Sequence, residues 1–174
     1  MEKCVVIYKS LTGFTEKYAN WIAEDLGCDA YPLENVNLVD LSDFDLIIYG
    51  GGVRAGKMGG IKFVDKIRHE FPNKNLVIFA TGATPPRETE AIERFKSMNV
   101  PKNSGIPFFY FQSGFNYERM KGFDKVIMNL VKGIMSRVKD KDGTTDEMVL
   151  AMRNSYDYSS KESTEPLVSY VRTL

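Results

Sequence analysis

The amino-acid sequence predicts an α/β protein of the doubly wound, three-layer kind, in which a parallel sheet lies between two layers of helices. Runs rich in β-branched and aromatic residues alternate along the chain with segments whose apolar residues recur every three or four positions. Residues 46–49 and 76–79 are apolar throughout, which suits strands that helices cover on both faces. The length of 174 residues suits one domain, and we expect residues 1–174 to form it.

The predicted strands and helices alternate in order along the chain. Strand-like runs occur at residues 3–8, 29–33, 44–50, 76–81 and 106–112. Helical periodicity occurs at residues 14–26, 61–71, 91–98, 123–138 and 167–171. The polar, serine-rich residues 155–165 predict a surface loop before the last helix.

Composition argues against several classes of function. Lys plus Arg and Asp plus Glu number 23 each, so no net charge attracts nucleic acid, and we expect no nucleic-acid partner. Cys4 and Cys28 lack metal-ligand or CxxC spacing, which predicts reduced, buried thiols in a cytoplasmic protein. With His69 as the single histidine, we expect no metal site. No apolar stretch is long enough to span a bilayer.

The segment after the first strand carries the strongest chemical signal. It combines three hydroxyl side chains with a glycine at the beginning of a helix: Ser10, Leu11, Thr12, Gly13, Phe14 and Thr15. Unpaired backbone N–H groups and the helix dipole favour an anion there, and a terminal phosphate group fits. The alternative is that Thr12 only caps the helix and Gly13 only turns the chain. A cap needs a single hydroxyl, and three are present.

This segment resembles the FMN-phosphate loop of flavodoxins, which also directly follows the first strand. The resemblance covers most of the chain and implies the flavodoxin-like fold, a five-stranded parallel sheet of order 2-1-3-4-5, and FMN as cofactor. It also implies that two loops of mostly small residues hold the flavin ring, where backbone amides can approach closely. The first loop is Gly51, Gly52, Val53, Arg54, Ala55 and Gly56, and the second is Thr81, Gly82, Ala83 and Thr84.

Two further segments are similar to the group of flavodoxin-domain proteins that includes menaquinone-dependent protoporphyrinogen dehydrogenase. These are Gly51–Lys57, and Tyr117–Met120 leading into Phe123–Met128. The resemblance implies an oxidoreductase that passes electrons or hydride from a reduced donor to a quinone-type acceptor. Flavin chemistry needs no side-chain nucleophile, so we predict no catalytic residue.

Two alternatives remain open, a simple flavodoxin electron carrier and a flavin-free binding module with the same fold. The binding module is favoured by Phe14, where flavodoxins usually carry Asn, and by the lack of aromatic residues at 50–60 and 81–90. Such residues stack on the ring in many flavodoxins.

The predicted helix at residues 123–138 is unusually apolar. Its apolar side chains cover about 200° of the circumference, more than contact with one sheet requires, and lysines lie on the opposite side. A broad core contact, a homodimer interface and a peripheral contact at the inner face of the membrane all suit this pattern. As partners we expect a redox protein or a quinone-type small molecule.

Overall fold

The computed structural model of the chain describes residues 3–115 and 156–174. Five strands form the main path of the sheet: β1 (Cys4–Lys9), β2 (Asp29–Pro32), β3 (Leu46–Arg54), β5 (Asn75–Gly82) and β6 (Phe108–Gln112). They are parallel and lie in the order β2-β1-β3-β5-β6. Because β5 and β6 are the fourth and fifth of these strands, the predicted order 2-1-3-4-5 is confirmed.

Among the described residues, three short strands stand outside that path. Strand β4 (Lys57–Met58) folds back on the end of β3 as an antiparallel hairpin. Strands β7 (Gly114–Phe115) and β8 (Tyr156–Asp157) pair as a separate antiparallel ribbon.

The described helices are α1 (Phe14–Leu26), α2 (Lys62–Glu70), α3 (Thr89–Asn99) and α4 (Glu165–Val171). The described part of the chain also contains short 3-10 helices at Leu33–Asn35, Leu38–Leu41 and Lys161–Thr164. The segments predicted or compared at 117–120, 123–128 and 123–138 lie outside the described residues. Among the helices of the described residues, none has the length and apolar character that crossing a bilayer requires.

The apolar strands separate two buried clusters, one on each face of the sheet. In β1, Val6 faces the cluster formed with α1 and α4, whereas its neighbour Ile7 faces the cluster formed with α2. Successive side chains of a strand point to opposite faces, so a strand covered on both sides must be apolar at every position. The three-layer arrangement predicted from the two continuously apolar runs is therefore confirmed.

The prediction of a loop directly after residue 50 is wrong, because the third strand extends further than predicted. Residues 51–54 continue β3, and only Ala55 and Gly56 form the turn into β4. Glycine is a turn signal locally, but here Gly51 is required by packing, because a Cβ on it would lie 2.8 Å from the carbonyl oxygen of Gly59. Similarly, Thr81 and Gly82 still belong to β5, and the loop begins at Ala83.

The surface loop predicted at residues 155–165 is also wrong in part. Tyr156 and Asp157 form β8, and Lys161–Thr164 forms a 3-10 helix. The Thr164 side chain is buried, and the backbone N–H of Ser160 donates to the hydroxyl of Tyr18 in α1 at 3.2 Å. The polar composition hid these contacts, because the segment is held by hydrogen bonds more than by apolar side chains.

Candidate functional site

The loop between β1 and α1 is an open helix N-terminus. Gly13 occupies the N-cap with a left-handed backbone (φ +91°), and no side chain among the described residues caps α1. The Ser10 hydroxyl oxygen instead accepts from the backbone N–H of Gly13 at 3.1 Å, while Leu11 is 56% exposed and Thr12 is half-buried. The alternative role of Thr12 as a simple cap is therefore not observed. The arrangement can accommodate an anion from solvent.

Three predicted site segments meet beneath this loop. The hydroxyl oxygens of Thr15 in α1 and Thr81 in β5 lie 2.8 Å apart, and both side chains are buried. A Cβ on Gly52 of β3 would lie 3.4 Å from the Thr15 hydroxyl oxygen and 3.8 Å from that of Thr81. The structure thus brings together residues that are far apart in sequence, at the carboxyl edge where open α/β sheets bind ligands.

Phe14 turns its side chain inward, toward the ribbon of β7 and β8. The side chain is 9% exposed, and a Cβ on Gly114 would lie 2.8 Å from its Cζ atom. The ribbon is tied to α1 by an ion pair of 2.8 Å between Nζ of Lys17 and a carboxylate oxygen of Asp157. Partial burial favours the neutral Asp157 carboxyl, but hydrogen bonds from Lys17 and Ser159 outweigh it and lower its pKa.

The hairpin of β3 and β4 carries the second predicted segment. Arg54 pairs with Lys57, and the two residues between them have positive φ, +49° at Ala55 and +81° at Gly56. This is the backbone of the mirror-image two-residue turn, whose twist matches that of paired strands. Alanine is unfavourable at such a φ, by roughly 1–2 kcal/mol. The turn must therefore be stabilised by its surroundings.

Asn99, the last residue of α3, supplies that stabilisation. Its side-chain N–H group donates to the carbonyl oxygens of Gly56 and Phe95, both at 2.7 Å, and its side-chain oxygen accepts from the backbone N–H of Met58 at 2.8 Å. Asn99 is 6% exposed; its bond from the Met58 N–H is buried, and the other two are partly buried. Sequence reasoning missed Asn99, and the only available signal was a polar residue at the end of a helical pattern.

The segment after β5 is held by the neighbouring strand β6. The Tyr110 hydroxyl donates to the carbonyl oxygen of Thr84 at 3.1 Å, and a Cβ on Gly82 would lie 2.8 Å from that hydroxyl oxygen. Burial raises the pKa of Tyr110 to about 12, despite the opposing hydrogen bonds with Thr84, so the hydroxyl stays protonated and can donate at neutral pH. Ala83, between them, is exposed.

The predicted residues other than Phe14, which faces the ribbon of β7 and β8, fall into four places. Ser10, Leu11, Thr12 and Gly13 form the open loop. Thr15, Gly52 and Thr81 meet below it. Gly51 is buried too, but a Cβ on it would lie 2.8 Å from the carbonyl oxygen of Gly59 and not near the two threonines. The rest lie on the hairpin or in the segment beside Tyr110, namely Val53, Arg54, Ala55, Gly56, Gly82, Ala83 and Thr84.

The other features that could carry function lie away from these three segments or lack the residues that a site would need. A cavity of about 360 Å³ beside Arg68, Phe71 and Lys74 lies at the amino-terminal edge of the sheet, opposite the three segments. His69 is exposed on α2 and contacts Glu70 at 3.4 Å, as expected for a solvated histidine. In the part of the chain that the structure describes, no group of three His, Cys, Asp or Glu side chains could hold a metal ion.

Comparison with known proteins gives a family match and weaker similarities. Residues 5–145 match the flavodoxin domain family. An uncharacterized protein of Methanocaldococcus jannaschii is 37% identical over 86 residues, which span 48% of this chain and 56% of that protein. A flavoprotein of Lactobacillus acidophilus NCFM, solved in complex with FMN, aligns at 15% identity and a TM-score of 0.46 over 64% of this chain and 93% of that chain. The flavodoxin, WrbA-like protein of Agrobacterium tumefaciens aligns at 19% identity and a TM-score of 0.44, over 62% and 82%.

Proposed function

This chain belongs to the flavodoxin domain family, and from that premise we propose that it binds FMN at the carboxyl edge of its sheet and acts in electron transfer. The single observation that carries the proposal is the meeting of Thr15, Gly52 and Thr81 directly below an open helix N-terminus. Each of these residues comes from a different one of the three segments that the flavodoxin resemblance implicates, which supports the proposal.

The residues present fit the phosphate end of the cofactor. Thr12 and Gly13 stand at the mouth of a helix whose first amides have no side-chain cap among the described residues. Such amides and the helix dipole favour a dianionic group. The Ser10 hydroxyl accepts from Gly13, so its own proton stays available for a phosphate oxygen.

The hairpin turn and the segment at residues 82–84 would lie on either side of the ring. When bound, FMN supplies the one- and two-electron transfer, and the protein positions it and sets its potential. The exposed Arg54 and Lys57 place positive charge on the hairpin, which stabilises a reduced, negatively charged flavin. We therefore expect a potential less negative than that of an acidic flavodoxin.

For the acceptor, we propose a quinone-type small molecule, with a redox protein as the alternative partner. The support is the resemblance of Gly51–Lys57 to the protoporphyrinogen dehydrogenase group. A cytoplasmic location, a single domain over residues 1–174, and a peripheral or dimeric role for residues 123–138 complete this proposal.

Titration with FMN tests the cofactor assignment. We expect the purified chain to bind close to one FMN, with a rise in melting temperature and a quenching of flavin fluorescence. Thr12→Glu places a carboxylate at the phosphate position, and we expect affinity to fall at least about tenfold, or ~1.4 kcal/mol. Thr173→Glu is the matched control, because it adds the same charge to an exposed residue beyond α4, and it should bind like the wild type. The proposal would be contradicted if the wild-type protein did not bind FMN, or if the two variants bound FMN with equal affinity.

A second experiment separates an enzyme from a carrier. Chemically reduced FMN-loaded protein is mixed anaerobically with a soluble quinone, or with a flavodoxin reductase and the oxidised form of its pyridine nucleotide. Saturable reoxidation by the quinone supports the oxidoreductase. Exchange with the reductase, without reaction with the quinone, supports the electron carrier.

The flavin-free binding module is the second candidate, and one observation favours it. The Thr15 hydroxyl is already paired with that of Thr81 inside the protein, and the Phe14 side chain is buried away from the loop. A colourless protein that fails to bind either FMN or riboflavin would select this candidate.

A further inference from the structure

The two cysteines meet across neighbouring strands, at a position remote from the proposed flavin segments. Strand β1 begins at Cys4, and Cys28 directly precedes β2. The two strands are parallel with Val5 paired to Asp29, so continuation of this register places Cys4 beside Cys28. Both side chains pack in the cluster that α1 covers, and they therefore lie on the same face of the sheet.

The spacing of the two residues suits a covalent bond. Neighbouring strands place paired Cα atoms about 4.8 Å apart, within the range of about 4.4–6.8 Å that disulfides span. Both cysteines are free thiols, Cys4 buried and Cys28 half-buried. The pair thus lies just below the surface, where a small oxidant can reach it.

The contact also differentiates the two thiols. The neighbouring Cys28 thiol lowers the pKa of the Cys4 thiol, against the opposing effect of burial. The same neighbour effect, together with burial, raises the pKa of Cys28. The contact therefore favours one thiolate in the pair, which we take as Cys4, and the thiolate is the reactive form of cysteine.

We propose that Cys4 and Cys28 form a reversible intramolecular disulfide when the protein meets a peroxide. The Cys4 thiolate attacks one peroxide oxygen, the O–O bond breaks, and hydroxide leaves, so that Cys4 becomes a sulfenic acid. The Cys28 sulfur then attacks the Cys4 sulfur and displaces its oxygen, which leaves as water with the Cys28 proton. The hydroxide takes up the proton that Cys4 released on ionisation. Overall, two thiols are oxidised to one disulfide and hydrogen peroxide is reduced to two waters.

The disulfide would link Cys28, just after the end of α1, to Cys4 at the start of β1. The closed loop, residues 4–28, contains β1, the open loop at 10–13 and the whole of α1. Cross-linking restricts the unfolded chain more than the folded one, so the oxidised protein should melt at a higher temperature than the reduced protein.

Mass spectrometry of the full chain tests the proposal. The protein is reduced, freed of reductant, treated with hydrogen peroxide, and then unfolded in urea with iodoacetamide. We expect two alkylated cysteines without peroxide. After peroxide we expect none, with an intact mass lower by two hydrogen atoms and a cross-linked peptide that contains both cysteines. Dithiothreitol should restore both thiols, and dilution of the protein should not change the yield.

Cys4→Ser and Cys28→Ser serve as controls, because each leaves one thiol that cannot close a loop within the chain. The wild-type mass and peptide map stand on their own should either variant fail to fold. Two alkylatable cysteines after peroxide, or a disulfide only between chains, would overturn the proposal. FMN is not needed at any step, so a failure of the flavin assignment leaves this result interpretable.

Discussion

Asn99 makes the sharpest mutational prediction, because one buried side chain holds three backbone groups. Asn99→Ala removes the bonds to the carbonyl oxygens of Gly56 and Phe95 and leaves the backbone N–H of Met58 without its acceptor. A hydrogen bond contributes about 1 kcal/mol net, and a buried donor left unpaired costs about 1–3 kcal/mol. We therefore expect the free energy of unfolding to fall by about 3 kcal/mol.

A charge variant distinguishes hydrogen bonding from simple loss of volume. Asn99→Asp keeps the shape and can still accept from Met58, but an ionised carboxylate cannot donate to Gly56 or Phe95. We expect Asn99→Asp to be destabilised at neutral pH, and to recover part of the loss when acid protonates the carboxyl and restores one donor.

The assay is urea unfolding of the apoprotein, followed by circular dichroism at pH 7 and repeated at lower pH for the Asp variant. Ser97→Ala is the matched control, because Ser97 lies on the same helix, is exposed, and makes one bond to Arg94. The control should stay within about 0.5 kcal/mol of wild type. If Asn99→Ala unfolds as Ser97→Ala does, the hairpin does not depend on Asn99 and the reasoning fails.

Three further predictions concern the turn, the charge of the hairpin and acid stability. Ala55→Gly should stabilise the protein by about 0.5–1 kcal/mol in urea unfolding, because glycine removes the strain at positive φ. Ala83→Gly, in the exposed segment after β5, should not stabilise. Lys57→Glu should lower the flavin potential by about 30 mV, ~1.4 kcal/mol for a two-electron couple, in a redox titration with Lys102→Glu as control; equal potentials would contradict a ring beside the hairpin. Asp157→Asn should destabilise at pH 7, and the difference should vanish as the pH falls through the lowered pKa of Asp157, since stability from a depressed carboxyl pKa is present only above it. A difference that persists in acid would exclude the ion pair as its cause.

The loop between β1 and α1 was predictable because its signals are local. Ser10, Thr12 and Gly13 are adjacent in sequence, so their placement after a strand and before a helix follows from that strand and that helix alone. The parallel sheet followed from runs such as residues 46–49, which no half-exposed strand would carry.

The hairpin of β3 and β4, and its hydrogen bonds with Asn99, could not be predicted in the same way. Residues 51–54 have the composition of a loop, and they extend as a strand because Gly51 pairs with Lys9 on one side and Ala80 on the other. Asn99 reaches Gly56 across 43 sequence positions. Neither the strand pairing of Gly51 nor the bond from Asn99 to Gly56 is visible in the nearby sequence, because each depends on neighbours that come together only when the sheet has formed.

The sequence by itself determined the layers, the alternation of strands and helices, and the position of the hydroxyl-rich segment before α1. The tertiary structure alone decided which groups face one another: Thr15 with Thr81, Asn99 with the hairpin, and Cys4 with Cys28. The physical reason is that periodicity records only whether a side chain is buried. Its partner is set by register and packing between strands and helices that are distant along the chain.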